Sequence, residues 1–146
     1  MTAALSTENI SKRAVLWPVI IAALIFLASS RSQIAGPVGV EGFDKVAHFS
    51  VYGLLATLVV RLGRGWRAAL VSVLLVSAYG ASDEWHQGFT PGRSVELADW
   101  MADTFGGALA VALYAGWPGY RRRLETAVTS RQRRVENAAA VATVSS

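Results

Sequence analysis

The chain has 146 residues, 53% of them hydrophobic and 16% charged. That length suits one domain, and the composition is too apolar for an ordinary water-soluble domain of that size. Fourteen Lys and Arg against ten Asp and Glu leave a formal charge of +4, a balance that points to nucleic acid in a soluble chain and to lipid in one this apolar. The absence of cysteine excludes a disulfide scaffold, thiolate metal sites and thiol chemistry, and with two histidines any metal site would have to be rich in carboxylates.

In chain order, charged residues leave four long gaps: 14 to 30, 46 to 60, 68 to 82 and 104 to 120. Each is slightly shorter than the roughly 20 residues that a helix rising 1.5 Å per residue needs to cross a hydrocarbon core, so each recruits charged flanks. The first gap follows Lys12 and Arg13 and carries Leu16, Trp17, Ile20, Ile21, Leu24 and Leu27, with Pro18 near its start. A cleavable signal peptide has the same layout, with Ala28, Ser29 and Ser30 in the place of a cleavage site, and stands as the alternative to a first span. Segment 31 to 43, with Gly36-Pro37 and Gly39, reads either as a loop or as a stretch that dips into the membrane. The second gap predicts a helix from Lys45 to Arg64, the third one from Trp66 to Trp85. The fourth, rich in Gly106, Gly107, Ala108 and Ala110, predicts a closely packed helix from Met101 to Tyr120.

These elements predict an all-α polytopic membrane protein: a cytoplasmic segment over 1–13, a four-helix transmembrane domain over 14–120, and a basic, disordered cytoplasmic tail over 121–146. Orientation follows from Lys and Arg, which are retained on the cytoplasmic side. With both termini on one side, eleven basic residues stand there, against Arg31, Lys45 and Arg93 opposite. Set against three inner and seven outer acids, that leaves +8 inside and −4 outside. The expected location is therefore a cell membrane crossed several times, with lipids as partners. The tail's arginines are expected to meet anionic headgroups; no aromatic platform or nucleic-acid fold accompanies them, so no nucleic acid is expected. Trp17, Trp66, Trp85, Trp100 and Trp117 fall near helix ends, as interfacial anchors do.

The candidate chemistry lies on the outer side. Lys45, Asp83, Glu84 and Asp103 fall at or just inside the outer boundary, with His48 about 4.5 Å deeper than Lys45. Ionisable groups at that depth normally face the bundle interior. Asp44, His48 and Tyr52 step by four, as do Asp83 with Gln87 and Asp99 with Asp103, so each set shares a helix face. Pro91-Gly92 signals a turn that leads to Arg93, whose guanidinium suits a phosphate or carboxylate. Tyr52 and Tyr79 suit a polar interior where a phenol finds a partner, and His86 beside Trp85 suits the interface.

Three motifs occur in order: Asp44-Lys45-x-x-His48-Phe49, then Tyr79-x-x-x-Asp83-Glu84-x-x-Gln87-x-Phe89-x-Pro91-Gly92-Arg93, then Asp99-x-x-x-Asp103-x-x-Gly106. Over roughly 43 to 115 the chain thereby resembles the VanZ-like membrane proteins. The resemblance implies a short multi-span protein of the cell envelope, associated with low-level resistance to the glycopeptide teicoplanin. The family usually has Asn at the position of Asp103, so this chain carries an additional carboxylate facing Asp99.

Four readings of the outer cluster follow. In a structural cap, Lys45 and Arg93 neutralise Asp44, Asp83, Glu84 and Asp99. In a ligand site, Asp44, Lys45, His48, Tyr52, Asp83, Glu84, Gln87, Arg93, Asp99 and Asp103 receive an anionic lipid-linked envelope precursor or headgroup. In an intramembrane hydrolase or transferase, His48 is a general base oriented by Asp44, with Glu84 as a further catalytic candidate, or else Glu84, Asp99, Asp103 and His86 hold a divalent ion. In a membrane adaptor, the small-residue fourth helix binds protein partners. Outside the enzymatic reading, no cofactor and no resident metal is expected.

Overall fold

The computed structural model describes residues 12–31 and 42–125. The expectations for the first eleven residues, for most of the 31–43 segment and for the tail beyond residue 125 lie outside the described residues. Among the described residues the fold is all-α: α1 (Lys12–Ser29), α2 (Phe43–Val60), α3 (Gly65–Gln87) and α4 (Leu97–Gly116), with a further helical run over 118–125. The chain divides into two compact units, one ending at Val111 and the other beginning at Ala112.

The helix boundaries differ from the charge gaps for local reasons. Helix α2 stops at Val60, short of Arg64, because the Leu62 and Gly63 amides bond to the Val59 and Val60 carbonyls in tight turns, and Gly65 then takes a left-handed φ of 75° that suits glycine. Helix α4 begins four residues before Met101, where the Glu96 carbonyl accepts from the Asp99 and Trp100 amides. It ends at Gly116, because Pro118 disfavours helical geometry in the residue before it. Helix α1 begins at Lys12 and so places Pro18 in its second turn.

Glycine sets the approach of α4 to its neighbours. A Cβ at Gly106 would run into the Phe49 backbone, one at Gly53 would lie 3.2 Å from the Gly106 carbonyl oxygen, and one at Gly107 would lie 3.2 Å from Val76. Helix backbones approach this closely only where side chains are missing. Two further contacts fasten α4 to α3: the Ser77 and Thr104 hydroxyls are 2.8 Å apart, and the Trp100 indole N–H donates to the Ser77 carbonyl at 3.1 Å.

A small apolar core that includes Ile25, Leu55, Val60 and Val76 is buried, yet many large apolar side chains face outward and several acids face inward. Leu16, Leu24, Leu27, Leu70, Leu74 and Leu75 are all at least half exposed, whereas Asp83, Glu84, Gln87 and Asp103 are 3% exposed or less. Among the described residues one helix, Phe43–Val60, is long and apolar enough to cross a membrane by length and composition, and Ala14–Ser29 is a shorter apolar helix.

Candidate functional site

The C-terminal ends of α1 and α3 meet the N-terminal ends of α2 and α4. Nearly all the polar side chains predicted to converge are found there, in three groups.

The first group lies at the rim. The Lys45 ammonium donates to Asp44 at 3.0 Å, to Glu96 at 3.1 Å and to Asp99 at 3.0 Å. Asp99 lies in the first turn of α4, where the helix dipole also favours its charge. Lys45 is 40% exposed, so these are partly solvated pairs of modest strength.

The second group lies one helical turn deeper along both α2 and α4. His48, three residues after Lys45, reaches Asp103, four residues after Asp99, with Nδ1 and Oδ1 2.9 Å apart. Glu84 joins them from α3: one donor atom from each of His48, Glu84 and Asp103 lies within 4.8 Å of the others. One Glu84 oxygen accepts the Glu96 backbone N–H at 2.8 Å, which ties this group to the start of α4. The other Glu84 oxygen, Oε1, and Asp103 Oδ2 are buried with no hydrogen-bond partner. Gly80 makes the fit possible, since a Cβ there would stand 2.8 Å from Asp103 Oδ2. The fully buried Tyr52 ring is nearly parallel to the His48 ring at 6.1 Å, and its hydroxyl has no partner either.

The third group joins α1, α3 and the turn. Asp83 Oδ2 accepts from Ser29 Oγ at 2.8 Å and from Gln87 Nε2 at 3.1 Å. The Gln87 carbonyl oxygen then accepts from Arg93 Nη1 at 3.0 Å, and Arg93 Nε donates to the Arg31 carbonyl at 3.4 Å. The turn delivers this guanidinium: the Arg93 amide bonds to the Thr90 carbonyl at 3.1 Å, with Pro91 second and Gly92 third at φ 81°. That is type II geometry, in which the third residue needs a positive φ.

Several pairings differ from those expected. Arg93 meets neutral oxygens and no carboxylate among the described residues, so the cap is only half realised, by Lys45 at the rim. The carboxylate that orients His48 is Asp103 rather than Asp44, because Asp44 turns to Lys45. His86 stands apart from the acids, its ring stacked on Phe26 at 4.5 Å and its Nε2 3.0 Å from Ser30 Oγ. The acids expected to share one divalent site with it divide instead, Glu84 and Asp103 to the buried group and Asp99 to the rim. Tyr79 donates to the Ala22 carbonyl at 2.6 Å and braces α3 against α1. Trp17, Trp66, Trp85 and Trp117 are exposed.

Glu96, Ser29 and Gly80 were not among the residues expected in the site. Glu96 and Gly80 left a signal, since Glu96 precedes Asp99 by three and Gly80 precedes Asp83 and Glu84 by three and four, both on one helix face. Ser29 left none, because its partner Asp83 lies 54 residues away.

A protein-family model described as VanZ/LLP1 matches residues 3–118, a span that includes all three groups. Neither a curated protein nor a solved structure matches the chain.

Proposed function

The chain belongs to the VanZ-like family, and from that premise we propose that it is a four-span protein of the bacterial cytoplasmic membrane, with both termini cytoplasmic, that binds an anionic envelope lipid or lipid-linked precursor beside Arg93. Lipid is the environment that suits helices whose leucines face outward and whose carboxylates face inward. The eleven-to-three division of basic residues supports this orientation, in which the three groups face the outer leaflet.

The observation that carries the ligand is the state of Arg93. Its guanidinium is held by two neutral oxygens, while Lys45 takes up the rim acids. An arginine fixed in place and met by no carboxylate among the described residues is preorganised for a phosphate or carboxylate, which its planar fork of donors fits. Gln87, itself fixed by Asp83, sets the direction of that fork. A protein that captures such a precursor at the outer face alters what a glycopeptide encounters there, which connects this site to teicoplanin susceptibility.

Native mass spectrometry of the full chain released from its membrane tests the reading. Wild type should carry a phosphate-bearing lipid and Arg93→Gln should lose most of it. Equal lipid on both proteins, or none on wild type, overturns it.

A further inference from the structure

We propose that His48, Glu84 and Asp103 form a binding site for one divalent transition-metal ion. The donors converge from three helices, with one ligand atom of each within 4.8 Å of the others. Ligand atoms about 2.1 Å from a tetrahedral ion lie about 3.4 Å apart, so small side-chain rotations close the set.

Burial shows that the set is incomplete by itself. Glu84 is 3% exposed and Asp103 0%, and each carries an oxygen without a hydrogen-bond partner. An ionised carboxylate in that position is costly unless a cation or several donors meet it. His48 meets only Asp103 Oδ1, and Lys45 and Arg93 meet neither of the unpartnered oxygens. Lys45 bonds to Asp44, Glu96 and Asp99, Arg93 bonds to neutral oxygens, and neither pairs with Glu84 or Asp103.

A second observation points to the same place. The Tyr52 hydroxyl is buried with no hydrogen-bond partner within 3.5 Å, its ring runs parallel to the His48 ring, and its charged neighbours are Asp83, which interacts with the hydroxyl, and Asp103. A water bound to the ion would give this hydroxyl a close partner on the side of Asp103. Gly80 supplies the space, because any side chain there would meet the Asp103 carboxylate.

Charge and donor type select the ion. Two carboxylates with a neutral imidazole carry −2, which a divalent cation cancels. One nitrogen and two carboxylate oxygens suit Zn²⁺ or Mn²⁺ better than Ca²⁺, which prefers six to eight oxygens. Three protein ligands leave coordination positions for water or for an oxygen of an anionic molecule. The site stands whether or not a lipid binds at Arg93.

The test uses the full chain in detergent, stripped with a chelator and titrated with Zn²⁺ and with Mn²⁺ by calorimetry, with bound metal measured after desalting. Wild type should take up one ion per chain and melt at a higher temperature when loaded. Asp103→Asn, which keeps shape and hydrogen bonding while removing charge, should weaken binding roughly tenfold to hundredfold or more. Glu84→Gln should do the same, which decides the matter if the first variant fails to fold. Asp44→Asn, at the rim, should leave stoichiometry and affinity unchanged. Absence of stoichiometric uptake of either metal by wild type overturns the site and assigns the cluster to shared protons. Uptake that survives both buried substitutions, or that is lost in Asp44→Asn, overturns it equally.

Discussion

The rim and the buried group offer the same spacing of donors and different contents. At the rim, Asp44, Glu96 and Asp99 bring their oxygens within 4.8 Å of one another, and the Lys45 ammonium bonds to all three. One turn deeper, His48, Glu84 and Asp103 converge to the same tolerance, and no lysine or arginine among the described residues pairs with them. The difference shows how one scaffold treats like charges at two depths. Near solvent, a flexible lysine stem reaches three acids at modest cost. In the interior, where a bare ammonium would itself be hard to desolvate, the chain presents an imidazole and leaves carboxylate oxygens unpartnered.

Three substitutions break or sharpen this contrast. The largest effect is expected from Gly106→Ala, because a Cβ there meets the Phe49 backbone and has no rotamer by which to escape. Overpacking of that kind costs about 1 to 3 kcal/mol, and it moves α4, which carries Asp99 and Asp103 together. Thermal unfolding in detergent should show a clear fall in midpoint, and a midpoint equal to wild type would mean that glycine contact does not seat α4.

Lys45→Met separates the two groups. It leaves the three rim acids facing one another while the buried group is untouched. Because Lys45 is 40% exposed, the loss should be no more than about 1 kcal/mol, and it should shrink as salt is raised. Unfolding midpoints of wild type and variant at low and high salt measure this. A loss that does not respond to salt would mean that the rim is as dry as the interior.

Ser77→Ala provides the small reference. Its hydroxyl bonds to Thr104 between α3 and α4, outside both groups, and an interhelical bond of this kind averages about 0.6 kcal/mol. A larger loss would mark the polar fastening of α3 to α4, rather than glycine contact, as what holds the two groups in register.

Much of the site was legible along each helix. The steps of four from Asp44 to His48 to Tyr52 and from Asp99 to Asp103 placed these residues on shared faces, and the structure finds them at one end of the fold. Turn chemistry at Pro91-Gly92 placed Arg93 correctly, since a type II turn demands glycine where φ is positive. Partner choice between helices was not legible. His48 had candidate carboxylates on its own helix and on two others, and Lys45 had at least as many. Which acid each one meets depends on the rotation and spacing of α2 against α4, and these are fixed by Gly53, Gly106 and Gly107, whose effect is read only in three dimensions.

The sequence by itself determined that this chain is helical, apolar on its outside and acidic at one end, because helix periodicity, hydropathy and charge are local properties written residue by residue. It also determined the family, through three motifs in fixed order. Only the tertiary structure decided that the five acids of the rim and the buried group and one lysine do not form a single neutral cap. They separate into a rim satisfied by Lys45 and a deeper group that is not satisfied. The physical reason is reach: an ion pair or a metal ligand requires atoms within a few ångströms, and residues 50 positions apart are brought to that distance by backbone packing alone.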